Sequence, residues 1–192
     1  DAQESRGLGD VYKRQHQGNA LSNAVAAVSD ITVFRPIYRL DKGTGGLIVA
    51  AKNQFAAAKL AGNVDKDYYA VIRGVLTDQG TIDAPIGRTE DSIVKRCVRA
   101  DGEHAVTHWQ AIKTNGENTL LKIHLETGRT HQIRVHFSHL GTPLIGDTMY
   151  GSADTRIDHQ ALLCKSVRFV HPVTNRYLEF DCPFPDDFKG LI

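Results

Sequence analysis

Tyr38-Arg39-Leu40-Asp41-Lys42-Gly43-Thr44-Gly45-Gly46-Leu47-Ile48-Val49 sets one acid between two basic residues, follows it with three glycines in four positions and runs into an apolar stretch. The glycines permit a sharp turn or a close approach of backbone to a ligand. Leu47 to Ala51 reads as a short strand buried on both faces, which puts Asp41 at the strand's mouth. Charged side chains are rarely buried without a partner, so Asp41 is a candidate for chemistry. The competing reading is a turn residue hydrogen-bonded to its own loop.

Outward from that loop the chain is rich in strands. Upstream, Pro36 interrupts, Leu21, Val25 and Val28 have helical spacing over Asn19–Val28, and residues 1–15 show no periodicity; they read as a disordered tail or a non-native junction. Downstream, Gln54–Ala61 is a short Ala-rich helix. Lys66–Gly74 alternates, with Tyr68, Ala70 and Ile72 on one face and Tyr69 and Val71 on the other. Asp78–Gly80 reads as a turn and Val94–Val98 as a strand. His104–Ile112 and Thr119–Leu125 form a hairpin around Thr114–Asn118. Thr130 is the expected N-cap of a helix with Ile133, Phe137 and Leu140 on one stripe, Gly141 as its stop and Pro143 beyond. Val167–Val170 and Tyr177–Phe180 make a last hairpin around His171–Asn175.

At 192 residues the chain suits one domain able to bury a sizeable core. Its three cysteines, Cys97, Cys164 and Cys182, are far apart, which argues against a disulfide framework or a cysteine zinc site and for reduced thiols. No apolar run has the roughly 20 residues that cross a bilayer, so a soluble, cytoplasmic protein is expected. The net charge of +1 excludes a strongly basic domain, yet Arg129 to His139 carries two arginines and three histidines without a carboxylate.

Those histidines mimic a metal site without making one. At about 100° per residue His131 and His136 lie roughly 140° apart, and only His136 and His139 share a face, with no acid beside them, so no metal is expected. His131 and Arg134 are roughly 60° apart on one side of the helix. Arg129 stands where free helix N–H groups favour an anion; the alternative is an arginine paired with a nearby acid. Tyr68, an aromatic in an alternating strand, is on pattern alone a core residue.

The three features together resemble one family. Arg39-Leu40-Asp41-Lys42-x-Thr44-x-Gly46-Leu47, Lys66-x-Tyr68-x-Ala70, Thr127-Gly128-Arg129-Thr130-His131-Gln132-Ile133-Arg134-Val135-His136 and Gly141-x-Pro143-x-x-Gly146-Asp147-x-x-Tyr150-Gly151 are similar, in order and spacing, to the RluA-type pseudouridine synthases. The resemblance runs from about Gly18 to Phe188. It implies an α+β fold, a curved, mostly antiparallel mixed sheet with peripheral helices and a central RNA-binding cleft. It also implies isomerisation of uridine to pseudouridine in structured RNA, ribosomal first and transfer RNA second, by a monomer that uses no cofactor. The target uridine must leave its stack for the glycosidic bond to be reached.

Residue by residue, Asp41 matches the family's essential aspartate, as a nucleophile at the sugar or as a base leading to a glycal. Arg134 matches the arginine paired with it, and Tyr68 the tyrosine that stacks on the base. Arg39, Leu40, Thr44, Arg129, Thr130, His131 and Gln132 match residues that grip the nucleotide. Position 38 is Tyr where many members have His, and position 45 is Gly where Ser is frequent. A Lys-Pro strand and a small N-terminal RNA-binding domain, common in relatives, are not in this sequence, so residues 16–192 are expected to be a catalytic domain shortened at its start. Two other classes compete: a non-catalytic RNA-binding module on the same scaffold, and a glycoside hydrolase, which would want a second acid beside Asp41.

Overall fold

Ala70, Val71 and Ile72 are all 0% exposed, so the segment expected to alternate between two faces is buried on both. The structure, a computed structural model, describes Gln3, Glu4, Val25 and residues 33–192. Val25 is helical, and the rest of the helix expected over Asn19–Val28 lies outside the described residues. In chain order the elements are β1 (Gln3–Glu4), β2 (Arg35–Pro36), β3 (Gly45–Ile48), β4 (Ala50–Ala51), α1 (Gln54–Leu60), β5 (Asp65–Arg73), β6 (Gln79–Asp83), β7 (Ile86–Arg88), β8 (Arg96–Val98), β9 (Val106–Thr114), β10 (Asn118–Leu125), α2 (Gln132–His139), β11 (Leu162–Val170), β12 (Tyr177–Asp181) and α3 (Asp186–Lys189). The α+β class expected from the sequence is the class found. The chain divides into two units, Asp1–Lys66 with Cys164–Pro183, and Asp67–Leu163 with Phe184–Ile192.

In the first unit, β1 runs antiparallel to β3, and β2 antiparallel to β4 with Arg35 opposite Ala51. The Asn53 side chain accepts the Ala56 N–H at 2.8 Å and so caps α1, whose alanines carry little side-chain entropy cost. β11 and β12 form the expected last hairpin, with Ser166 opposite Asp181 and Val170 opposite Tyr177. Its turn is closed by His171 Nδ1, which accepts the Thr174 N–H at 3.1 Å. Arg168 binds Asp65 at 2.6 Å.

In the second unit, β5, β10, β9 and β6 are successive antiparallel neighbours. The expected hairpin is present. Leu120 faces Lys113 while Leu121 faces Ala111, so Ile112 is the extra residue of a bulge; it stands 48% exposed, and Leu121 and Ile123 keep their place in the core at 0%. Phe137, Leu144, Ile145 and Leu163 are also sealed from solvent. Asn118 Nδ2 and Asn115 Nδ2 donate to the Leu191 carbonyl at 2.9 and 3.3 Å and tie the chain's last residues to the β9–β10 turn.

α2 differs from its expected form at both ends. Its N-cap is His131, not Thr130: His131 takes a left-handed conformation (φ 58°) and makes no side-chain cap. Gln132, the first helical residue, instead reaches back to the preceding loop, where its Oε1 accepts the Arg129 N–H at 2.9 Å. The stop is as expected. Gly141 (φ 76°) donates to Ser138 O at 3.0 Å and Thr142 to Phe137 O at 3.0 Å, the paired bonds of a Schellman ending. Leu140, expected on the apolar stripe, is 45% exposed, whereas Gln132, Arg134 and His136 on the polar side are buried.

Candidate active site

In the first unit Asp41 sits at the tip of a hairpin whose stalk is closed by successive bonds. Arg35 and Pro36 pair with Ala51 and Ala50, Ile37 N–H donates to Val49 O at 2.8 Å, and Tyr38 O–H donates to Leu47 O at 2.8 Å. At the tip, Thr44 N–H donates to Asp41 O at 2.9 Å, with Gly43 at φ 82°. A positive φ at the third residue alone makes this a type II turn, which requires the glycine. Leu40 and Thr44, at 4% and 2% exposure, anchor the loop on either side, while the Asp41 side chain is half-buried and Arg39 is exposed. Gly46 adds a second constraint. It has φ 104°, and a Cβ there would stand 2.2 Å from the Cys164 carbonyl oxygen.

Tyr38 is thus part of the stalk. Its ring also lies beneath the Lys66 ammonium, 4.9 Å from Nζ to centroid, within cation–π range. Lys66 Nζ donates to Val64 O at 2.8 Å. Burial pulls the Lys66 ammonium below the ordinary lysine value, against the opposing pull of Cys164 and Asp65.

In the second unit α2 gathers most of the other expected residues. Arg134 forms a bidentate pair with Asp147, Nε to Oδ2 at 2.7 Å and Nη2 to Oδ1 at 2.9 Å, with side chains 7% and 1% exposed. The Tyr150 ring lies 4.9 Å from the Arg134 guanidinium carbon. Tyr150 Oη accepts the Arg96 N–H at 2.9 Å and shares a hydrogen bond of 2.7 Å with His131 Nδ1.

Gln132 is 3% exposed and every hydrogen-bonding position of its amide is taken. Oε1 accepts from Arg129 N and Thr127 Oγ1, both at 2.9 Å, and Nε2 donates to Val106 O at 2.9 Å and Thr107 Oγ1 at 3.0 Å. What Gln132 holds is its own loop. From Thr107 the network continues to His136 Nδ1 at 2.9 Å, and His136 Nε2 reaches Ala84 O at 2.9 Å. Burial, the largest influence, lowers the His136 pKa below the usual imidazole value, so the ring is neutral and donates to Ala84. Arg129 is paired with Glu103 at 2.7 Å and donates to His104 O at 2.9 Å, the structural alternative left open for it. Thr130 is exposed.

Tyr68 lies on β5, opposite Ile123 and 7% exposed. Its neighbour Asp67 is a buried carboxylate bound by Lys122 at 3.0 Å. Asp147 and Tyr150 had been given no role from the sequence, although both fall in the last quoted motif. The available signal was electrostatic: an arginine on the buried side of a helix requires an acid, and Asp147 follows at a separation of 13 residues.

The profile of a family described as RNA pseudouridylate synthase matches residues 13–139. The "Uncharacterized RNA pseudouridine synthase YjbO" of Bacillus subtilis (strain 168) is 40% identical over 96% of this chain and 69% of its own length. The "Ribosomal large subunit pseudouridine synthase D" of Vibrio cholerae is 40% identical over 90% of this chain, which spans 59% of that relative. Among solved structures, "Human RNA Pseudouridylate Synthase Domain Containing 1" superposes with a TM-score of 0.78 at 25% identity, covering 96% of this chain and 80% of the human one.

Proposed function

The chain belongs to the RNA pseudouridylate synthase family, and on that premise we propose that it isomerises uridine to pseudouridine in structured RNA, with Asp41 as the catalytic carboxylate. In this reaction the bond between the sugar carbon and the base nitrogen breaks, and a bond from the same sugar carbon to C5 of the base forms. The C5 proton is lost and the freed nitrogen gains one, so atoms and charge balance. The ionised Asp41 carboxylate either attacks the sugar carbon or takes a sugar proton to give a glycal. In the roles the resemblance implies, Arg134 supplies a positive charge to the reaction, and Tyr68 stacks on the base and carries the C5 proton away.

The observation that supports this reading most is the Asp41 hairpin. A residue serving only to make the turn has no need of buried anchors on both sides and a zipped stalk behind it, whereas a catalytic group gains from a fixed position. Arg39, Arg129, Thr130 and His131 grip the flipped nucleotide and its phosphates, Leu40 and Thr44 hold the Asp41 loop from beneath, and Gln132 keeps the loop before α2 in shape. Ribosomal RNA is the substrate class favoured by the names of relatives. No helix among the described residues is long and apolar enough to cross a membrane. A cytoplasmic monomer is the form in which we propose it acts.

Unmodified ribosomal RNA labelled with tritium at C5 of uridine tests the proposal. The wild type releases tritium, while Asp41→Asn releases none and still binds the RNA with a comparable salt dependence. Ordinary turnover by Asp41→Asn removes Asp41 from catalysis, and binding without release by the wild type leaves an RNA-binding module.

A further inference from the structure

Tyr38 and Lys66 have no place in the chemistry, yet both bear on the loop that carries Asp41. Tyr38 stands immediately before Arg39-Leu40-Asp41 and its hydroxyl is bonded to Leu47, on the other side of the loop's neck, at 2.8 Å. That bond is the last rung of the stalk before the tip. A phenol is a flexible strut unless its ring is held, and here the Lys66 ammonium sits over the ring at 4.9 Å, itself tethered to Val64 O at 2.8 Å. The chain therefore ties the base of the hairpin to the first residues of β5 through a cation–π contact.

We propose that Tyr38 and Lys66 form a charge-dependent clamp that positions the Asp41 loop, which makes them positioning residues for the isomerisation; this rests on the function proposed above. A histidine at position 38 would have a smaller ring and no hydroxyl, and could not keep the Leu47 bond and the ring face under Lys66 together. Because Lys66 is partly buried, its charge is worth more against the ring than an exposed lysine's would be.

Two measurements on the full chain test the clamp. The first is amide hydrogen exchange at Thr44, which reports the order of the tip without any turnover, with amides of the β9–β10 hairpin as the global reference. In Lys66→Met and Tyr38→Leu the Thr44 amide exchanges on the order of ten times faster while the reference amides keep their rates; Lys66→Arg stays near wild type. The second is tritium release from C5-labelled ribosomal RNA. The two disrupting variants lose on the order of tenfold or more in kcat with KM within about twofold, and Lys66→Arg restores most of it. Unchanged exchange at Thr44 in Lys66→Met overturns the clamp whatever the turnover. Faster exchange with undiminished kcat overturns its positioning role. Should the wild type release no tritium while the exchange difference holds, the clamp stands as a device of the fold and it is the proposed function that fails.

Discussion

Arg134 and Asp147 meet through two hydrogen bonds of 2.7 and 2.9 Å with almost no exposure to water, one from α2 and the other from the turn that follows β10 and α2 in sequence. Asp147 Oδ1 also accepts the Met149 and Tyr150 N–H groups, each at 3.1 Å, so the carboxylate holds a turn as well as the arginine. Removing one partner leaves an uncompensated buried charge. Asp147→Ala is expected to cost about 3–5 kcal/mol in urea unfolding. Replacing both, as Arg134→Met with Asp147→Leu, recovers much of that loss because no charge remains buried. A double variant as unstable as Asp147→Ala would show that the backbone bonds of the turn dominate.

Gly46 and Gly62 separate strain from collision. Both have positive φ, 104° and 75°, and alanine in that region costs roughly 1–2 kcal/mol. At Gly62 nothing lies within 4 Å of the added Cβ, while at Gly46 it falls 2.2 Å from the Cys164 carbonyl oxygen, which is backbone and cannot swing aside. Gly62→Ala is therefore expected to lower Tm by a few degrees. Gly46→Ala either fails to fold or loses several times as much, and equal shifts in Tm would refute the steric account.

His136 makes stability depend on pH. Burial, chiefly, keeps its folded pKa below the ordinary value of 6.5, with the Ala84 bond and Asp83 opposing and His139 reinforcing the shift. Between the folded and the unfolded pKa the unfolded chain binds the extra proton. Stability from this group is thus complete above pH 6.5 and falls on acidification, by at most about 1.4 kcal/mol per pH unit, until the folded pKa is reached. Urea midpoints at pH 7, 6 and 5 should decline with a slope that His136→Gln flattens. An equal slope in the variant would assign the decline to other groups.

The Asp41 turn, the β9–β10 hairpin and the Gly141 helix ending were legible because each follows from local chemistry: glycine at a positive φ, or a period of two flanking a polar turn. What was not legible depends on partners distant in sequence. Gly80, read as a turn, lies in β6 opposite Trp109, and a Cβ there would stand 2.7 Å from the indole ring; the glycine serves the tryptophan rather than a bend. β7 contains Gly87 and one buried apolar residue, too little pattern to announce a strand. Thr130 has the chemistry of an N-cap, but His131 turns left-handed after it and the helix starts one residue later. Arg39 and Thr130 are exposed and Arg129 is paired with Glu103, so a nucleotide contact at these positions has no local pattern to set it apart from an ordinary polar surface.

Arg134→Lys asks whether charge or geometry matters at that position. Lysine keeps the positive charge, so the buried Asp147 stays paired and the stability loss should be smaller than in Arg134→Ala. An ammonium cannot, however, make the flat two-point contact with Asp147, nor lie face-on over Tyr150 as the guanidinium does at 4.9 Å. The cation would then be placed anew with each fluctuation, and if Arg134 acts in the reaction as proposed, a displacement of about 1 Å can cost 100-fold in rate. Arg134→Lys is therefore expected to fold, to bind ribosomal RNA, and to release tritium on the order of 100 times more slowly than the wild type. Turnover within a fewfold of wild type would mean that the cation acts through its charge alone and that Asp147 and Tyr150 serve the fold rather than the reaction.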